Sequence, residues 1–200
     1  QRDSNDLAVE IENSLLPQNS LVKETEFNNI FSAINMGNCV LFFFFLDTAF
    51  NLDVKDFKQR SVSSPNNEII IKGPQEAFVE SIRVNTSMLR RATNTENLVI
   101  ENVLVGKLSK TPCAICYLKN IANSDLVAEV RYRLNNLEID TLLSTGQLEQ
   151  LICEDNKYNI PQVLSTERPD KAAKNLYAGR VVILVNGNPY CIILPATIVD

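Results

Sequence analysis

The sequence predicts an α/β protein of two subdomains, each a small mixed β-sheet with packed helices. Three observations carry that reading. "MGNCVLFFFFLDTAFNLDV" (Met36–Val54) and "AGRVVILVNGNPYCIILPA" (Ala178–Ala196) share one order: a Gly, an apolar run, a short turn and a second apolar run. Apolar residues at helical spacing precede both glycines. The 200 residues are 45% hydrophobic and 22% charged, the balance of a chain that builds its own core.

The elements follow in order. "LAVEIENSLL" (7–16) reads as a helix stopped by Pro17. In "KETEFNNIFSAINMG", Phe27, Ile30, Phe31 and Ile34 fall on a helical stripe that Gly37 ends. "CVLFFFFL" (39–46) is too short for a buried helix and reads as a buried strand, with Asp47-Thr48 as the turn and "AFNLDV" returning. Glu68–Ile71 reads as a strand. A helix is expected from Pro74 to about Arg91, with Phe78, Ile82 and Leu89 on one stripe. Asn85 shares that stripe and must find hydrogen-bond partners if buried. Glu76, Glu80, Arg83, Ser87 and Arg90 form the opposite face, with Glu80 and Arg83 one turn apart. Leu98–Val105 and "CAICYLK" read as strands, "SDLVAEVRYRLNN" and "GQLEQLI" as helices. The second copy then repeats the first: a short strand, a helix from about Glu167 to Ala178, Gly179, strand "RVVILV", an Asn186-Gly187 turn and strand "YCIIL". The lead-ins "LLPQ" (15–18) and "NIPQ" (159–162) also match. The expected boundaries are 1–57 for the first subdomain, 58–95 for a connecting strand and helix, and 96–200 for the second. The first copy lacks counterparts of the strand and helix that precede the second.

The formal charge of −5 and pI near 4.9 argue against nucleic acid, which needs a basic face. With no His, the usual general base, metal ligand and Ser–His or Cys–His pairs are absent. Cys113 and Cys116 form a C-x-x-C, but residues three apart on a strand point to opposite faces, so they read as two buried thiols rather than a zinc or redox pair. Neither Asp53/Asp56 nor Glu154-Asp155 has the spacing of a calcium loop. No Gly-rich phosphate loop is present. No catalytic, cofactor-binding or metal-binding residue is expected. The longest apolar run, Cys39–Leu46, is far short of the ~20 residues of a membrane-spanning helix. A binding or relay module is what remains.

Four segments together are more specific. "IKGPQEAFVESIRVNTSMLRR", "SKTPCAICYLKNIAN", "RYRLNNLEIDTLLSTGQLEQLI" and "PQVLSTERPDKAAKNLYAGRVVILVNGNPYCIILPA" resemble the N-terminal soluble domain of the A subunit of GerA-family spore germination proteins, over about Leu15–Ala196. The resemblance implies a domain of a nutrient germinant receptor in the spore inner membrane, on its core side. Its partners would be a transporter-like B subunit and a lipoprotein C subunit, with a membrane domain following residue 200. It also implies two subdomains similar to parts of solute-binding proteins. On that reading Glu76, Glu80, Arg83, Asn85 and Arg90 are candidate subunit-contact or relay residues. Glu167 and Arg168 are candidates for a cleft holding a small nutrient between the subdomains. The first hairpin departs from the family pattern: Phe44-Phe45 stands where an acidic-Gly turn is usual, which shifts the expected turn toward Asp47-Thr48.

Overall fold

The computed structural model describes residues 21–44, 46–52, 76–153 and 163–196. The expected helix at 7–16, strand at 68–71, helix start at Pro74 and lead-ins at 15–18 and 159–162 lie outside them. The chain divides into two compact units, 1–58 with 94–96, and 59–93 with 97–200.

The first unit is β1 (Leu21–Glu24), α1 (Phe27–Asn35), β2 (Cys39–Leu41) and β3 (Ala49–Leu52). Its sheet has the order β1-β3-β2, antiparallel throughout. Ile30 and Ala33 are the buried side of α1. Phe50 and Leu52 centre a small core, with Leu21, Cys39, Leu41, Phe43 and Leu46 packed on them. Phe43 meets Phe50 edge-on, ring centroids 5.7 Å apart.

The second unit holds α2 (Ile82–Thr93), β4 (Leu98–Val105), β5 (Thr111–Leu118), α3 (Ser124–Asn135), α4 (Thr145–Ile152), β6 (Leu164–Thr166), α5 (Pro169–Tyr177), β7 (Val181–Val185) and β8 (Cys191–Leu194). Its sheet, β4-β5-β7-β8-β6, is also antiparallel at every pairing. Side chains alternate between its two faces. One face buries Cys113, Ile115, Ile183 and Ile192 under α3 and α4. The other buries Ala114, Cys116, Val182, Leu184 and Ile193 under α2 and α5. Both thiols of the C-x-x-C are therefore buried on opposite faces, as strand geometry requires, and burial pushes each up to about 12.

The repeat is closer than the sequence indicates. A shift of 142 residues, the separation of Gly37 and Gly179, carries the described elements of the first unit onto β6, α5, β7 and β8 of the second. It takes α1 onto α5 and the pairs Cys39↔Leu52 and Leu41↔Phe50 onto Val181↔Leu194 and Ile183↔Ile192. It also takes Val22↔Asn51 of β1–β3 onto Leu164↔Ile193 of β6–β8, so the strand before the helix belongs to the repeat. Each helix ends identically. Asn38 N donates to Ala33 O and Arg180 N to Asn175 O across a glycine at φ +87° or +82°. That left-handed position is open to Gly at no steric cost.

Three expectations are corrected. The central helix begins at Ile82, not Pro74, because residues 76–81 run as a non-helical segment, bonded through Phe78 N and Glu80 O to other parts of the unit. That helix packs inside the second unit, on α5, β4, β5 and β7. The run Cys39–Leu46 is a strand only to Leu41, and its turn is not displaced. Leu46 N donates to Phe43 O (3.0 Å), the counterpart of Asn188 N to Val185 O (3.3 Å) in the second hairpin. Phe44 thus sits in the turn and is fully exposed.

Candidate functional site

The residues proposed from sequence converge on the layer of α2 and α5. Residues 76–81 lead into α2 and are tied down at three points. Phe78 N donates to Glu167 O (2.7 Å) and Gly187 N to Glu80 O (2.7 Å). The third tie is Asn85. Its Oδ1 accepts from Val79 N (2.8 Å) and its Nδ2 donates to Val79 O (2.5 Å). This two-way bond mimics a strand pairing and satisfies a side chain with no solvent exposure. Asn85 is therefore removed from the contact surface; it holds the segment to the helix.

The Asn186-Gly187 turn anchors the start of α2. Gly187 takes φ +86°, and the Asn186 side chain accepts from Ile82 N (3.2 Å), capping a helix whose first amides have no partner of their own. At the other end Tyr177 Oη of α5 donates to Thr93 O. The turn signal was legible in sequence; that it caps a helix 104 positions away was not.

The outer face of α2 differs. Glu80 and Arg83 are exposed and Arg90 is half-buried. Among the described residues none of the three forms an ion pair, so the expected Glu80–Arg83 contact is not made. The reason is the helix start, which leaves Glu80 on the non-helical segment before it. Glu76, also exposed, reaches Arg91 (3.6 Å) across the layer. Glu167 is buried, and Arg168 binds Asp170 through two nitrogens (3.1 and 2.6 Å). That hydrogen bonding, with the guanidinium charge, holds the Asp170 carboxyl below its ordinary range. Of the two candidates for the nutrient cleft, Glu167 thus joins the segment to the start of α5 through its backbone, and Arg168 pairs with a carboxylate in the first turn of α5.

Between α2 and α5 lies a groove of about 440 Å³. Its floor is apolar (Met88, Pro169, Ala173) and its rim carries Glu76, Arg91, Asp170 and Lys174. No group of three or more His, Cys, Asp or Glu among the described residues could hold a metal ion. No helix among them is long and apolar enough to cross a membrane.

A second ionic cluster joins α3 to the sheet. Arg131 of α3 grips Glu101 of β4 with two nitrogens (2.9 and 2.7 Å), and Tyr117 Oη of β5 donates to the same carboxylate (2.6 Å). The Arg131 hydrogen bonds, reinforced by Tyr117, lower the Glu101 pKa. Nothing in the sequence paired these three, because each is 14 or more positions from the next, and it takes the register of β4 on β5 and the packing of α3 on β4 to bring them together.

Fold and surface together define a two-unit α/β module whose second unit carries a groove between two helices. The family described as Bacillus/Clostridium GerA spore germination protein matches residues 1–200, and the chain belongs to it. Spore germination protein A1 of Bacillus subtilis (strain 168) is 38% identical over 176 residues, covering 88% of this chain and 36% of that one. Spore germination protein B1 of the same organism is 44% identical over 147 residues, 73% of this chain and 30% of the relative. The crystal structure of the N-terminal domain of the A subunit of the Bacillus megaterium spore germinant receptor GerK3 is similar over the whole chain. Its TM-score is 0.71 at 31% identity, and 71% of that chain is covered. The chain spans about a third of the length of the curated relatives it matches. It corresponds to the N-terminal domain of a germinant receptor A subunit.

Proposed function

We propose that this domain works in receptor assembly and signal relay through the outer face of α2, without catalysing a reaction. The observation that carries this is a contrast on one helix. Backbone and side-chain bonds fix both ends of α2, while exposed Arg83 on the helix, exposed Glu80 just before it and half-buried Arg90 near its end form no ion pair among the described residues. Charges that do not hold the fold are available to a second protein. The partners, on the family resemblance, are the transporter-like B subunit and the lipoprotein C subunit, with the full-length protein seated in the spore inner membrane. Losing one member of a desolvated interfacial charge pair costs roughly 2–5 kcal/mol, whereas an exposed charge contributes only about 0–1 kcal/mol to folding. Spores carrying Arg83→Ala should therefore germinate poorly with nutrients and normally with triggers that bypass the receptor, while the purified domain keeps its melting temperature. Normal nutrient germination at unchanged receptor level would refute the reading.

The α2/α5 groove favours a second reading, in which the domain itself binds a small nutrient. An apolar floor rimmed by both signs of charge suits a small polar or zwitterionic molecule. A thermal-shift screen with amino acids, sugars and nucleotides separates the two. A ligand at one hundred times its Kd adds about 2.7 kcal/mol of stability, and a relay domain shows no shift.

A further inference from the structure

Strand β4 is the long outer strand of the five-stranded sheet, and its free edge has no strand partner among the described residues. Such edges usually carry a guard: a Lys, a Pro, a bulge or an inward-pointing charge. "LVIENVLV" has neither Lys nor Pro and pairs without interruption on β5 over all eight residues. Its one charge, Glu101, is already compensated by Arg131 and Tyr117, so a strand added alongside would bury no unpaired charge. Leu104 stands 63% exposed on the face shared by Leu98 and Ile100.

We propose that β4 is a contact edge for a second copy of this chain, pairing antiparallel with the partner's β4 so that two sheets become one. The sequence of the strand selects this occupant. A two-fold axis between antiparallel copies must stand perpendicular to the joined sheet, so paired residues lie on the same face and differ by an even number. Centring on Glu101 would set two carboxylates opposite each other, which is unfavourable. Centring on Asn102 sets the two Asn102 amides opposite each other and pairs Ile100 with Leu104 of the partner subunit. It also pairs Val99 with Val105, and Glu101 with Val103. Every apolar residue from Val99 to Val105 then meets an apolar residue or the aliphatic part of Glu101, and no like charges meet. Centring on Ile100 or Val103 shortens the paired stretch. The strand is self-complementary in one register.

Sedimentation of the 200-residue chain across a wide concentration range should show a monomer–dimer equilibrium. Asn102→Lys, which sets two ammonium groups face to face, should weaken the dimer roughly tenfold or more. An equimolar mixture of Asn102→Lys and Asn102→Glu chains should restore it. Register is read by oxidation. Opposite residues lie roughly 4.5–5.5 Å apart at Cα, within the reach of a disulfide, so Asn102→Cys should crosslink to itself. Leu104→Cys should not, because its own copy lies about 14 Å away along the strand. Mass spectrometry of the crosslinked peptide and an unchanged circular dichroism spectrum complete the test. A chain that stays monomeric throughout overturns the proposal. So does a dimer indifferent to Asn102→Lys, or one that Leu104→Cys crosslinks as readily as Asn102→Cys.

Discussion

Helix α1 of the first unit and α5 of the second hold the same position in the repeat, on the same strand register, with the same glycine stop. Their outer sides differ. In α5, Pro169, Ala173 and Leu176 are buried, and α2 packs on them. The counterparts in α1 are Phe27, Phe31 and Ile34, exposed by 69%, 43% and 43%. Beyond the helix the pattern continues. Phe42 is exposed where Leu184 is buried, and Phe44 occupies the place of Asn186, whose side chain caps α2. Among the described residues the first unit has no counterpart of α2 or of β5. Helix α5 presents small residues that let another helix approach, while α1 presents large ones. A helix–glycine–hairpin unit thus specifies its own sheet register; what covers its outer side is set by elements elsewhere in the chain.

The largest expected effect tests that difference directly. Leu176→Ala empties a fully buried position and should cost about 2–5 kcal/mol, read by denaturant unfolding. Its repeat counterpart, Ile34→Ala, removes a side chain already 43% exposed and should stay within about 0.5 kcal/mol. Equal losses would mean that the outer side of α1 is covered in solution as α5 is.

Next in size is the clamp that, among the described residues, the second unit alone possesses. Asn85→Ala leaves the Val79 amide and carbonyl without their partner and should destabilise by about 1–3 kcal/mol. Asn186→Ala removes the cap on Ile82 at the surface and should cost about 1 kcal/mol. Hydrogen exchange should speed up at Val79 and Ile82 in the respective variants, and not in α1. Fast exchange in α1 as well would show that the two units do not unfold independently.

The sequence made the repeat visible because it is written locally: a helical stripe, a glycine, two apolar runs. The opposite faces of Cys113 and Cys116, and the need of Asn85 for partners, followed from backbone period alone. What could not be read depends on long-range pairing. Pattern alone starts α2 eight positions early because Phe78 fits the helical stripe, yet Phe78 is buried from a non-helical segment held by Glu167 and Gly187. Phe42 and Phe44 extended an apolar run past the strand because hydrophobicity does not distinguish a covered face from a bare one. The Glu101–Arg131–Tyr117 cluster needs a register no single segment encodes.

The smallest effect expected concerns acid. Two carboxyl groups of the second unit, Glu101 and Asp170, are held below their ordinary pKa, chiefly by hydrogen bonds from Arg131 and Arg168. A carboxyl with a depressed folded-state pKa adds stability above its unfolded pKa and loses it as pH falls through the folded value. The loss should therefore begin below about pH 4 and deepen with further acid. Both pairs are partly exposed to solvent, so each contributes no more than about 1 kcal/mol and less at high salt. Glu101→Gln should flatten this part of the pH dependence, leaving stability near neutrality only slightly reduced. The effect should localise: Arg131 ties α3 to β4, so exchange protection in α3 should fall in acid before that of β7, which lies at the centre of the sheet. If the wild-type chain and Glu101→Gln lose stability in parallel from neutral pH downward, the Glu101–Arg131 pair contributes nothing to holding α3 on the sheet.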